Sequence, residues 1–204
     1  RNSFRLEKMV ARLDETDRLA EIAAPVIDRL CRRISWPSDL AVLSTNGPYM
    51  TLKETSRPSS PFLLNHDQIG HQVNLVLSAV GRAYLAHCSV NEFKILIEQL
   101  EATGLPENQI QPNREKFDAI LETVRRQGYA VRDPCFGGGQ TPFRSQYDDG
   151  LEAIAVALAY EGRVIGCLTI AWVRKAASIE EIARDYLKIL QSTAREIIDA
   201  YRLS

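Results

Sequence analysis

Residues Leu151 to Val173 constrain the fold of this chain more than any other stretch. They read LEAIAVALAYEGRVIGCLTIAWV, two apolar runs joined at Tyr160-Glu161-Gly162. Side chains of a strand alternate between its faces with a period of two. In the first run the even positions Ile154, Val156 and Leu158 are bulky, and the odd positions Ala153, Ala155, Ala157 and Ala159 are all alanine. In the second, Leu168, Ile170 and Trp172 are bulky, and Cys167, Thr169 and Ala171 are smaller. Each arm therefore has one face that fills a core and one that leaves room. A small face can be the floor of a ligand cavity, or it can seat a closely packed helix. The turn sets a condition. A three-residue loop ending in Gly162 puts odd positions of both arms on one face, whereas a two-residue turn at Glu161-Gly162 pairs odd with even and loses the common small face.

Composition bounds the class. The chain has 204 residues, 45% apolar and 25% charged, ordinary for a soluble globular protein. No apolar run approaches the roughly 20 residues of a membrane span, and no secretory leader opens the chain. A net charge of -1 provides no electrostatic case for nucleic-acid binding by the chain as given. Cys31, Cys88, Cys135 and Cys167 are scattered without a Cys-x-x-Cys pair, which fits free thiols in a reducing cytoplasm. His66, Asp67 and His71 lie close in sequence but make a weak zinc pattern, so no metal and no cofactor are expected.

Along the chain, Arg1, Arg5, Lys8 and Arg12 stand against one acid, Glu7, and Ser3 to Leu6 reads as a short strand. A helix follows from about Asp17 to Ile34, with Pro25 expected to kink or divide it. Asp39 to Thr45 and Tyr49 to Thr55 are strands around the Asn46-Gly47-Pro48 turn, and Phe62 to Leu64 is a candidate third strand. Ser78 to His87 is a short helix. Ser89 with Glu92 forms a capping box for the next one, and Pro112 to Gln127 is another, stopped at Gly128. Tyr129 to Arg132 should be a strand and Pro134 to Gly150 a long loop. After the hairpin comes a helix from Ile179 to about Arg202, with a capping box at Ser178 and Glu181. This order argues an α+β fold, an antiparallel sheet with helices packed on it.

No constellation for catalysis stands out. Gly137-Gly138-Gly139 has no Lys-Ser/Thr after it and opens no helix, so it is a poor phosphate loop. Asp148-Asp149 has no third partner nearby in sequence. Cys167 and Cys135 are the only plausible nucleophiles, and a cysteine in an apolar strand is usually inert.

The residues Leu19-Ala20-Glu21-Ile22-Ala23-Ala24-Pro25, Ile69-Gly70-His71, Ala79-Val80-Gly81-Arg82-Ala83-Tyr84-Leu85-Ala86, Val124-Arg125-Arg126-Gln127-Gly128-Tyr129-Ala130 and Ile154-Ala155-Val156, in that order, resemble the effector-binding domain of IclR-type bacterial transcriptional regulators. Trp36-Pro37 and Arg163 to Leu168 are similar to the branch that activates hydroxyphenylpropionate catabolism. The resemblance implies a sensor and not an enzyme. It implies a GAF- or profilin-like antiparallel sheet flanked by helices, and a homodimer or tetramer that reads DNA through an N-terminal helix-turn-helix absent from this chain. Residues 1–16 would then be the remnant of a winged-helix wing and linker helix, and 17–204 the effector domain. Carried over by position, the effector-binding residues are Leu77, Ser78, Ala153, Ala155, Thr169 and Ala171. Trp172 or Phe143 are the candidates for the rim of such a cavity. Arg144 and Arg57 are the candidate partners of an effector carboxylate, the expected ligand being an aromatic or short-chain carboxylic acid that controls a catabolic operon. The chain departs from the family at Asn74 and Ala157, where proline is common, and in the length of the Pro134 to Gly150 loop. The rival readings are a stand-alone small-molecule enzyme with a profilin-like fold and a ligand-free dimerisation module.

Overall fold

The computed structural model describes residues 2–62, 68–138 and 143–204, with the backbone alone described over 2–10 and at 12. A six-stranded antiparallel sheet is formed by β1 (Asp39–Leu43), β2 (Tyr49–Thr55), β3 (Gln72–Asn74), β4 (Ala130–Val131), β5 (Leu151–Tyr160) and β6 (Arg163–Val173), in the order β3-β2-β1-β6-β5-β4. Two long helices, α1 (Asn2–Ile34) and α5 (Ile179–Leu203), cover one face. The other face carries α2 (Ala79–His87), α3 (Val90–Ala102) and α4 (Arg114–Gln127). The fold is α+β, as the order of elements implied.

The alternation of the hairpin divides the core. The bulky even series, Ile154, Val156, Leu158, Leu168, Ile170 and Trp172, joins Leu19, Ile27, Leu190 and Ile197 of α1 and α5 in one cluster. The small odd series, Ala153, Ala155, Cys167 and Ala171, joins the cluster under α2 to α4. Burying a Leu- or Ile-sized side chain contributes about 1.5–3 kcal/mol, so the even face is where the long helices are held.

The turn is the two-residue form that was expected to lose the common small face, but a bulge below it changes the outcome. Tyr160 pairs with Arg163, so the loop is the two residues Glu161 and Gly162, both at positive φ (49° and 76°), a type I′ arrangement. Alone it would pair odd with even. A β-bulge intervenes: Ala159 faces Val164 but Leu158 faces Gly166, leaving Ile165 as the extra residue. Beyond it Ala157 faces Cys167, Ala155 faces Thr169 and Ala153 faces Ala171. One extra residue in one strand of an antiparallel pair shifts the pairing by one, and this restores the common small face.

Other expectations need correction. Ser3 to Leu6 is not a strand but part of α1, which runs unbroken through Pro25. The residue-16 boundary thus falls inside a helix. Ser89 accepts from the Glu92 N–H, yet the Glu92 carboxylate binds the Tyr84 hydroxyl at 2.7 Å. Ser178 and Glu181 do form a full capping box. Leu63 and Leu64 of the candidate third strand lie outside the described residues, and Phe62 is in a bend stacked on Trp36. The third strand is Gln72–Asn74. The Asn74 side chain accepts from the N–H groups of Val76 and Leu77 at 2.8 and 2.7 Å and so fixes the turn before α2.

Candidate functional site

A small cavity of about 80 Å³ opens where the small face of the hairpin meets the N-terminus of α2. Its floor is Ala153, Ala171 and Thr169, and Ser78, Ala79 and Val80 form one wall. Leu52, Val73, Phe136 and Leu151 add apolar surface. Ser78 caps α2 by accepting from the Gly81 N–H at 3.0 Å. The N–H groups of Ala79 and Val80 have no acceptor among the described residues, as expected of the first turn of a helix. That turn carries the positive end of the helix dipole.

Four charged residues line the cavity: Asp39, Arg57, Arg132 and Asp149. Asp39 starts β1 beside Thr169, whose hydroxyl accepts from the Asp39 N–H at 3.2 Å. The Asp39 carboxylate accepts from Arg57 Nε at 3.2 Å, Arg57 Nη2 at 2.9 Å and the Thr55 hydroxyl at 2.6 Å. Both side chains of this ion pair are more than nine-tenths buried. Burial disfavours the Arg57 charge, but Asp39, with a smaller contribution from Asp149, holds its pKa above the ordinary value. Arg132 follows β4. It donates to the Leu151 carbonyl at 2.9 Å and to Asp149 at 3.0 Å, and its guanidinium lies 4.7 Å from the centre of the Phe136 ring. Among the described residues its Nε is buried with no partner, and a buried donor left unmade costs about 1–3 kcal/mol.

Gly138 has a structural reason. At φ +95° a Cβ here would overlap the Asp149 carboxylate and lie 3.0 Å from Arg132 Nη2. The glycine lets the loop close over the second ion pair. Asp148, the neighbour of Asp149, faces Arg174 instead, at 2.6 Å, and this hydrogen bond holds its pKa down to about 2.

Of the residues expected in the site, Ser78, Ala153, Thr169, Ala171 and Arg57 line this cavity. Ala155 shares their face but is fully buried in the core beneath the helices, so close helix packing and cavity floor are both realised along one strand. Leu77 lines a different cleft. Trp172 belongs to the even series. It is completely buried on the opposite face, its indole donating to the Ala177 carbonyl at 2.9 Å, and so it is no rim residue. Phe143 pairs with Phe136 and packs against the core without lining the cavity. Arg144 is also away from it, beside Asp148 at 3.5 Å. Sequence reasoning missed Asp39, Arg132 and Asp149. The available signal was a charge at the end of an otherwise apolar strand, as in Asp39-Leu40-Ala41-Val42 and Ala130-Val131-Arg132.

The chemistry for nucleophilic catalysis is poor. Burial pushes the Cys167 thiol far up. Burial, with Asp133 close by, raises Cys135 to about 11. Neither is a thiolate near neutrality. Among the described residues no group of three or more His, Cys, Asp or Glu could hold a metal, and His66 and Asp67 lie outside them. No helix among them is long and apolar enough to cross a membrane. A wider cleft of about 860 Å³ between residues 43–48 and α3 contains none of the expected site residues.

Solved structures share this architecture. The IclR of Thermotoga maritima has a TM-score of 0.70 at 19% identity, over 90% of this chain and 68% of that one. The inducer-binding domain of a double mutant of the PobR transcription factor from Acinetobacter, in complex with 3-hydroxybenzoic acid, has a TM-score of 0.66 at 18% identity over 87% and 96%. An IclR homolog from Microbacterium hydrocarbonoxydans, complexed with 4-hydroxybenzoate, has a TM-score of 0.65 at 20% identity over 93% and 70%. At these identities the likeness is one of fold. The sequence itself matches the description "Bacterial transcriptional regulator IclR C-terminal" over residues 10–199. The chain belongs to the IclR family of bacterial transcriptional regulators, as its C-terminal domain.

Proposed function

We propose that this domain senses a small carboxylic acid, bound in the cavity between the hairpin floor and the first turn of α2, and that it does no chemistry on it. The observation that carries this reading is the convergence of unmet donors. Arg132 Nε and the N–H groups of Ala79 and Val80 belong to residues lining one cavity, beside the Ser78 hydroxyl. Helix N-termini with a nearby guanidinium suit an anion, and the alanine floor suits a short apolar body. The two solved complexes with hydroxybenzoates support the ligand class by analogy of fold.

Size refines the choice. A buried cavity of about 150 Å³ holds benzene, and this one offers about 80 Å³. A short-chain acid fits it unmoved, whereas an aromatic acid requires the Phe136 to Gly138 wall to give way. The Trp36-Pro37 and Arg163 to Leu168 likeness favours a phenylpropanoid-type acid within the aromatic group. In the whole regulator, a cytoplasmic homodimer or tetramer, α1 would connect this domain to a DNA-binding part. The effector would favour one arrangement of subunits and so control a catabolic operon.

A thermal-shift screen of short-chain and aromatic acids against sugars, amino acids and nucleotides tests the proposal. Acids should stabilise the domain, by about 2.7 kcal/mol at a hundred times Kd. Stabilisation by nucleotides alone would sink it.

A further inference from the structure

Two consecutive residue pairs face two different cavities. Ser78 and Arg132 line the cavity described above, while their neighbours Leu77 and Asp133 line a second cleft, of about 210 Å³. The Asp133 N–H donates to the Leu77 carbonyl at 2.7 Å, so one bonded strip of backbone forms a wall of both. We propose that this second cleft is a further binding site, for a small monocarboxylate with an apolar body.

The cleft is lined on its apolar side by Val76, Leu77, Ile110, Phe117 and Ile120. Val76, Leu77, Ile110 and Phe117 are buried, so this surface is set by the core beneath it. At its back Arg82, 4% exposed, donates to the Val76 carbonyl at 2.9 Å and to Asp133 at 2.5 Å. Its charge is thus held in place by a partner on β4's exit and by the turn before α2. Lys116, in the first turn of α4, is exposed at the cleft and makes no ion pair among the described residues. Asn113, also at the cleft, leaves the end of α4 without a side-chain cap.

Charge decides the ligand class. Arg82 and Lys116 against Asp133 leave the second cleft with one net positive charge, whereas the first cavity has two arginines against two aspartates. An apolar wall with one uncompensated cation selects an amphipathic monoanion over a neutral or dianionic molecule. The room is more than the roughly 150 Å³ that accommodates a benzene ring, so an aromatic monoacid fits here without movement. The site goes beyond the effector reading and does not depend on it.

Benzoate is the probe, with benzamide as its neutral counterpart, titrated calorimetrically into the chain and three variants. Ile120 is half-buried at the cleft edge, and Ile120→Trp fills the cleft. Lys116→Gln, at an exposed position, removes the charge without touching the core. Ala171→Leu fills the first cavity. The proposal expects a benzoate site that survives Ala171→Leu, is lost in Ile120→Trp and weakens about threefold to fivefold in Lys116→Gln, the scale of one exposed ion pair. Benzamide should bind there more weakly than benzoate. Benzoate binding that persists undiminished in both Ile120→Trp and Lys116→Gln overturns the second site, as does the absence of saturable binding to the parent chain. A separate site lost only in Ala171→Leu is the signature of the effector cavity, so the two readings fail independently.

Discussion

Asp39→Asn should lower the stability of the domain and raise its affinity for acids at the same time. The change is nearly isosteric, but it removes the carboxylate charge that the buried Arg57 guanidinium faces most directly, Asp149 contributing less. Asp39 accepts three hydrogen bonds, two of them from Arg57, and both side chains of the pair are less than a tenth exposed. Removing one partner of such a buried pair costs about 3–5 kcal/mol. For a domain of this length about 2–4 °C is lost per kcal/mol, so the midpoint should fall by about 6–20 °C. Urea denaturation at neutral pH measures the loss directly. An acid in the cavity would meet an Arg57 no longer matched by Asp39, and its carboxylate would replace the missing charge. A tenfold gain in affinity corresponds to about 1.4 kcal/mol, so even partial replacement is measurable by calorimetry. The double variant Asp39→Leu with Arg57→Met should recover most of the stability and none of the added affinity. A loss below about 1 kcal/mol in Asp39→Asn, the range of solvated pairs, would refute the view that this cavity wall is dry.

Glu152→Gln should stabilise the domain in a pH-dependent way. Burial raises the Glu152 pKa above 4.5 in spite of the arginines around it, so the native state binds that proton more tightly than the unfolded chain. The parent therefore loses stability as pH rises through and above 4.5, and the advantage of the variant should grow over that window and vanish below it; a constant difference in melting temperature from pH 3 to 7 contradicts this. Gly138→Ala should push Asp149 off Arg132, lowering stability and speeding proteolysis near residues 136–138 in a timed digest; an unchanged digest means that the loop does not close on the ion pair. Ser78→Ala should cost about 1 kcal/mol through the lost cap and weaken acid binding further, and full affinity in that variant removes the α2 turn from the site.

The large elements were legible because their signals are local. Alternation in residues 151–173, caps at Ser89 and Ser178, and the stop at Gly128 each depend on neighbours a few positions apart. The basic residues at 1, 5, 8 and 12 carried a local signal too, since spacings of four, three and four follow a helical turn; the strand reading of Ser3 to Leu6 overlooked it. The ionic lining of the cavity had no such signal. Asp39 meets Arg57 through the β1–β2 pairing, and Arg132 meets Asp149 across a loop of sixteen intervening positions. Nothing in either sequence neighbourhood marks the partner. Trp172 was misplaced for a different reason: parity put it on the bulky face, and chemical suitability for a rim does not override parity.

The bulge at Ile165 has a consequence for how this hairpin can change. A two-residue tip and a single extra strand residue form a compensated pair. Adding or removing one residue at the tip reverses which face the alanines occupy, unless the bulge is lost or gained in the same step. Length changes of two leave the faces where they are. Variation at the tip should therefore come in even steps or arrive together with a change near Ile165, and engineered loops grafted between Tyr160 and Arg163 are subject to the same arithmetic.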